Sequence, residues 1–398
     1  MSQLPLVPIL SATLEEDDVA LAKHWLAMPR QAWNDVDVVS EWESTFAEWL
    51  GVSTATAWMG GRASLYAAVK ALELREGDEV ILPAFTCQCV INAFHYQGIV
   101  TKYADIESAT YGFDLYAVEK VITPKTKAIL LQYTFGLVSQ HIAALLQLAK
   151  QHNLYVIEDC AHALGAKWKG QKLGTFGDVA IFSTERSKII NTIHGGLVTT
   201  NNREIGQRLI VLKNSAPMAS VEKTEKLLNT VIHNHLIYNT AEGQLNQVEI
   251  NEQFSDTILP QMFPEEFVGE FIPHYTEVIS PPIAALALNQ FKKLPRFHER
   301  RLKSAKYWFD WCIQKGITAP LVIADSEPSF LRFPICVSPE RKNDLKWIED
   351  ELKVTVGVWF TSAAHPTPIE LDDCPVGTKI AKACINLPTL LPDAYLEK

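Results

Sequence analysis

Three short segments of this 398-residue chain carry side chains that could do chemistry together. Glu158-Asp159-Cys160-Ala161-His162 closes the apolar, strand-like run from Leu154 to Ile157. An acidic residue there can bind a metal, orient a base, pair with a ring nitrogen, or simply cap a helix. Phe182-Ser183-Thr184-Glu185-Arg186-Ser187-Lys188 reads as a strand running into a polar turn that ends in lysine, with His194-Gly195-Gly196 following. A lysine that forms Schiff bases must lose its proton through desolvation or a neighbouring cation, for which Arg186 is a candidate. The ordinary alternative is a solvated lysine. Gly60-Gly61-Arg62-Ala63-Ser64 falls where a helix begins. Free amides at a helix start bind phosphate and glycine lets the anion approach the backbone, although Gly-Gly turns also precede helices for purely structural reasons.

The elements that must position these groups follow from periodicity. Arg62 to Leu74 has Leu65, Val69 and Leu72 on one helical face, and Ile142 to Gln151 reads as a second helix. Strand-like runs fall at Val80 to Leu82, Val100 to Ala104, Ala128 to Leu131, Tyr155 to Ile157 and Val179 to Phe182. Alternating helices and strands that are apolar on both faces predict an α/β fold with a mostly parallel sheet covered on both sides. Ligands of such sheets sit beyond the carboxyl ends of the strands. From Glu222 to Gly269 the chain turns rich in Asn, Glu and Gln, with a helical stretch at Lys226 to Leu236, which suggests an insertion or lid. Helices at Pro282 to Lys293 and Arg300 to Gln314, then strands at Phe330 to Ile335 and Val354 to Phe360, predict a smaller C-terminal α+β domain.

The bulk properties narrow the function classes. A formal charge of -10 without a dense Lys/Arg run argues against nucleic acid as a partner. Seven scattered cysteines do not form a disulfide framework. Cys87-Gln88-Cys89 has no second Cys or His pair nearby, so it reads as buried thiols and no metal is expected. Met1-Ser2-Gln3-Leu4-Pro5 lacks a basic, then apolar, leader pattern, and no apolar run approaches a membrane span. The expected location is the cytoplasm.

In this order and spacing, the segments resemble the DegT/StrS family of sugar aminotransferases, which depend on pyridoxal 5′-phosphate (PLP) and have the aspartate-aminotransferase fold, fold type I. The resemblance runs through Gly61-Arg62-Ala63-Ser64-Leu65, Gly77 to Thr86, Val156 to Gly165 and Gly174 to Ser183, up to Lys188 and Gly195-Gly196. Weaker echoes lie at Ala284-Ala285, Arg332-Phe333-Pro334, Gly357-Val358-Trp359 with His365, and Asn386 to Thr389. The resemblance implies that Lys188 holds PLP as a Schiff base and moves the proton between substrate and cofactor. It implies that Asp159 keeps the pyridine nitrogen protonated and that His162 lies near the ring's phenolic oxygen. Gly61, Arg62, Ala63 and Ser183 would surround the phosphate. Cys87 stands where an aromatic ring often stacks on the cofactor, which leaves Phe85 or His162 as substitutes.

Two departures bear on the rest. Arg62 replaces the usual Thr or Ser, and Val278 to Ile283 replaces the usual Arg-x-Ser-Glu-x-Gln before Ala-Ala, while the Asn that a neighbouring subunit often supplies to the phosphate has no evident counterpart in the chain. The expected organisation is a large PLP-binding domain over 15–275, interrupted at about 214–270, and a small domain over 276–398. The expected partner is a second copy of the chain, with the site at the interface. The implied reaction moves an amino group from a donor such as glutamate to a nucleotide-linked keto sugar. The alternatives are a dehydratase or other PLP chemistry, or a silent regulatory protein keeping the fold; family dehydratases carry His in place of the lysine, so Lys188 favours transamination.

Overall fold

The computed structural model describes residues 6–397, so the leader reading at Met1 to Pro5 falls outside the described residues. Seven strands form the main sheet: β1 (Thr54–Trp58), β2 (Glu79–Pro83), β3 (Val100–Ala104), β4 (Thr126–Gln132), β5 (Tyr155–Asp159), β6 (Val179–Ser183) and β7 (Gly196–Thr200). Their order is β1-β7-β6-β5-β4-β2-β3. The five strands from β3 to β6 run parallel, whereas β7 is antiparallel to both of its neighbours. The sheet is therefore mixed with a parallel centre, the α/β architecture expected from the alternating pattern. β6 and β7 are buried along their whole length, as helix cover on both faces requires.

The parallel register brings three chain segments to one edge. Gln132 at the end of β4 pairs with Asp159 at the end of β5, which pairs in turn with Ile181, two residues before the end of β6. Within β5, side chains alternate between faces. Glu158 turns away from the cavity edge and accepts the amides of Gly174, Phe176 and Gly177 (2.7–2.8 Å) and the Tyr133 hydroxyl (2.7 Å). Asp159 faces the cavity beyond the strand ends.

The extra stretch is helical and partly built into the core. Helix Val221–Asn239 buries Leu227, Leu228 and Val231 in the main apolar cluster. Beyond it, residues 259–276 fold back over the Gly60-Gly61 turn, held by the Asn92 amide donating to the Glu266 carbonyl (2.9 Å) and Tyr275 Oη donating to the Glu266 carboxylate (3.0 Å).

A separate C-terminal core gathers Trp308, Phe333, Ile335, Ile348 and Leu387. The helix Leu294–Lys315 begins in the main core at Leu294 and ends in this one at Trp308, Trp311 and Cys312. The strand expected at Phe330 to Ile335 forms at Phe333–Cys336 and pairs with Cys384–Leu387. The strand expected at Val354 to Phe360 does not form. That segment makes two isolated bridges, Val354 with Val7 and Gly357 with Asn386, because no neighbour offers a continuous ladder. Outside any strand ladder, Trp359 lines the cavity.

Candidate active site

A cavity of about 420 Å³ opens beyond the carboxyl ends of β4, β5 and β6. Gly61, Arg62, Cys87, Asp159, His162, Ser183 and Lys188, all singled out in the sequence, line it. Lys188 sits in the loop after β6, which is pinned by backbone bonds from Thr184 N to Gly195 O (2.8 Å), Arg186 N to Ile193 O (3.1 Å) and Lys188 N to Glu185 O (2.8 Å). Its Nζ lies 4.8 Å from the centre of the Trp359 ring. Burial pushes the Lys188 pKa below the ordinary lysine value, against the opposing pull of Glu185, Cys87 and Asp159. Arg186, the cation proposed for this effect, does not supply it; its guanidinium is engaged by Glu185 (3.4 Å) and the Leu259 carbonyl (2.9 Å).

Asp159 is 5 % exposed, and Oδ1 accepts the Ala161 amide at 3.0 Å. Burial raises its pKa, partly offset by that amide and by the charge of Lys188. His162 accepts the Phe135 amide at Nδ1 (3.1 Å). The neutral ring, kept so by burial and by the nearby charges of Lys188 and Arg332, therefore carries its proton on Nε2. It stacks on Trp359 with centroids 5.1 Å apart and planes 7° from parallel. Arg332 covers Trp359, its guanidinium carbon 3.5 Å from the ring centre.

The phosphate-type turn is built by close approach. A side chain at Gly61 would place its Cβ 2.8 Å from Ser183 Cβ, and one at Gly196 would lie 2.7 Å from the Gly61 nitrogen. Helix Gly61–Ala71 starts here, so the first amides have no carbonyl one turn back. Ala63, in the first turn, is fully buried and is not among the residues that line the cavity, so its side chain does not reach the site. Arg62 lines the cavity, but its guanidinium is bound by the Glu266 carboxylate and by the Gln261 carbonyl (3.0 Å). Burial works against its charge, and Glu266 more than restores it.

Two sequence expectations change. Phe85 does not reach the cavity: its ring is fully buried against Phe360 (4.9 Å) and Tyr111 (6.0 Å), because the turn after β2 directs it into the C-terminal core. Cys87 and Cys89 are not sealed structural thiols but wall residues of the cavity. Several lining residues had not been assigned from sequence. Trp359 lay in a quoted echo, and His194 stood directly before Gly195-Gly196, yet Gln261, Met262 and His274 carry no local signal.

The buried carboxylate, which has no cationic hydrogen-bond partner among the described residues, the lysine whose pKa burial lowers, and the glycine cradle beside Ser183 together fit a ring with a protonated nitrogen, a carbonyl and a phosphate. A family model described as the DegT/DnrJ/EryC1/StrS aminotransferase family matches residues 15–241, more than half of the chain. The chain belongs to this family. Among relatives of this DegT/DnrJ/EryC1/StrS member, GDP-perosamine synthase of Escherichia coli O157:H7 is 39% identical over 175 residues, covering 44% of this chain and 48% of that protein. A UDP-N-acetyl-3-dehydro-alpha-D-glucosamine 3-aminotransferase of Acidithiobacillus ferrooxidans is 33% identical over 213 residues, 53% and 55% of the two chains. The matches span about half the length of these relatives. Solved structures share the fold over nearly the whole DegT-type chain. An aminotransferase from Psychrobacter cryohalolentis gives a TM-score of 0.71 at 21% identity, covering 96% of this chain and 94% of that one. The E. coli GDP-4-keto-6-deoxy-D-mannose-3-dehydratase with bound hydrated PLP gives 0.72 at 17% identity, covering 99% of both. Among the described residues of this family member, no helix is long and apolar enough to cross a membrane.

Proposed function

We propose that this chain is a PLP-dependent aminotransferase that moves an amino group from an amino-acid donor such as glutamate to a nucleotide-linked keto sugar. The observation carrying this reading is the convergence of Lys188, Asp159 and the Gly61–Ser183 cradle on one cavity. The names of the sugar-aminotransferase relatives support the substrate class. Bound PLP supplies a carbonyl for amine capture and a ring that accepts an electron pair.

The residues divide the remaining work. Lys188, with its pKa lowered by burial, presents an unprotonated amine more readily than a solvated lysine, and it is placed to hold or release a proton at Nζ. The Asp159 carboxylate stabilises a proton on an opposing ring nitrogen, because a nearby anion favours the cationic form. His162 donates from Nε2 toward a ring oxygen. Gly61, Ala63 and Ser183 hold the phosphate through amides and a hydroxyl. Trp359 and the wall at Met262 and Cys87 exclude water from the space above Lys188. Arg62 supports the phosphate end by anchoring the covering segment through Glu266.

We assign residues 15–275 to a large PLP-binding domain carrying an extra stretch at 214–270, and residues 276–398 to a small domain. The proposed assembly is a homodimer in the cytoplasm with the site at the interface. Support comes from the exposed apolar side chains of Leu245, Val248, Phe267 and Val268, all of which lie on the extra stretch. Purified protein mixed with PLP is expected to gain a violet-absorbing band that borohydride bleaches and that Lys188→Ala lacks. Glutamate should then convert the band to the amine form of the cofactor. Wild-type protein that gains no band ends the enzyme reading.

A further inference from the structure

Around the Gly60-Gly61 turn, the cations other than Lys188 each have their own carboxylate among the described residues. Arg62 pairs with Glu266, Lys223 with Glu277, and Arg186 with Glu185. The donors left uncommitted are two imidazoles. His194 is 2 % exposed, lines the cavity, and has no hydrogen-bond partner on either ring nitrogen among the described residues. His274 meets the Lys223 ammonium at Nδ1 (2.6 Å). An ammonium can only donate, so Nδ1 accepts and the ring proton resides on Nε2. That Nε2 lies 3.2 Å from the point where a Gly60 side chain would begin, so it is aimed at the turn. The two rings stand 5.0 Å apart.

A buried, unpartnered imidazole is costly to keep. It lines the same cavity as Gly60 and Gly61, where an eleven-residue helix starts, and anions bind at helix starts. We infer that His194 and His274, with the first-turn amides of helix Gly61–Ala71 and Ser183 Oγ, form an anion site that takes the phosphate monoester of the cofactor within a single chain. Assigning that phosphate to the cofactor rests on the PLP reading above. The choice of histidine is physically sensible. A fourth arginine or lysine here would be an unpaired buried charge whenever the site is empty, whereas neutral imidazole donates one hydrogen bond without that penalty.

PLP and pyridoxal differ only in the phosphate, so the ratio of their affinities, read by absorbance titration, isolates its contribution. His194→Ala is expected to lower that ratio by about tenfold, the typical effect of one hydrogen bond to a charged group. His194→Gln, which keeps an amide donor, should restore most of it. Pyridoxal binding reports the fold of each variant because it needs no phosphate site. If His194→Ala does not fold, His274→Ala is expected to lower the ratio similarly. An unchanged ratio in whichever variant folds overturns the inference, even if inorganic phosphate binding falls. If wild-type protein takes neither PLP nor pyridoxal, the cofactor reading fails by itself. Calorimetric titration with inorganic phosphate then decides the anion site: weaker binding to His194→Ala supports it, and equal binding ends it.

Discussion

Removing the Glu266 carboxylate should damage this protein far more than its place in a Pro-punctuated surface stretch suggests. Its side chain is fully buried and serves three partners: the Arg62 guanidinium, Tyr275 Oη at 3.0 Å and the Phe263 amide at 2.9 Å. Glu266→Ala leaves Arg62, itself only 11% exposed, as an uncompensated buried cation. Breaking a buried pair from one side costs about 3–5 kcal/mol. Unfolding entropy of about 2.1 cal/mol/K per residue over 398 residues gives roughly 0.8 kcal/mol/K. The thermal midpoint should therefore fall by about 4–6 °C in differential scanning fluorimetry. The double variant Arg62→Met/Glu266→Met removes both charges and should recover most of that loss, because replacing a whole buried pair by apolar groups is close to neutral. Scans should be run without added phosphate or PLP, which would stabilise the folded state by mass action. A single variant within 1 °C of wild type, or a double variant no better than the single, would refute the reasoning that this pair fixes the segment over the cavity.

Three further outcomes follow from the same geometry. Gly61→Ala should weaken PLP binding at least about tenfold and cost roughly 1–3 kcal/mol of stability, since the new methyl meets Ser183 Cβ at 2.8 Å; unchanged PLP affinity by absorbance titration would contradict the cradle. Glu158→Gln replaces an oxygen acceptor facing three amides and a hydroxyl, and should destabilise by about 2–4 kcal/mol in thermal scans. Asp159 has a folded pKa raised by burial, so the cofactor-free fold binds its proton more tightly than the unfolded chain. Its contribution to stability therefore falls as pH rises from about 3.8 through the folded value. Asp159→Asn should raise the midpoint of the cofactor-free protein at pH 7, with the gain shrinking toward pH 4, while abolishing tight PLP binding; an equal gain at both pH values would rule out the carboxyl as its source.

Asp159, Ser183 and Lys188 were legible from sequence because their chemistry is local. Each closes or follows a short apolar run, and parallel pairing of neighbouring strands leaves such residues on one edge. The Gly61 turn was legible for a related reason, since a helix start beside two glycines exposes amides whatever the rest of the chain does. Trp359 and His274 obey no such rule. They reach the cavity from segments far along the chain, through tertiary packing that local periodicity does not encode. Val354, Val356, Val358 and Phe360 alternate as a half-buried strand should, yet the segment finds only isolated bridges to Val7 and Asn386. Phe85 misled in the opposite sense: it lies two residues from Cys87, but the turn after β2 sends its ring into a different core. Burial also did the work assigned to Arg186, because the desolvation of Lys188 depends on everything that encloses it.

Trp359 has a consequence of another kind. Its indole is held between the His162 ring and the Arg332 guanidinium, within 4.8 Å of Lys188 Nζ. A fluorophore clamped at that spot is a built-in optical gauge. Any chromophore that settles beside Lys188 and absorbs in the near ultraviolet will drain its excitation by energy transfer. Against a Trp359→Phe background, the emission of the chain's ten tryptophans can be divided into a cavity component and a remainder. The filling and emptying of the cavity then become a signal that can be followed in real time without an attached label.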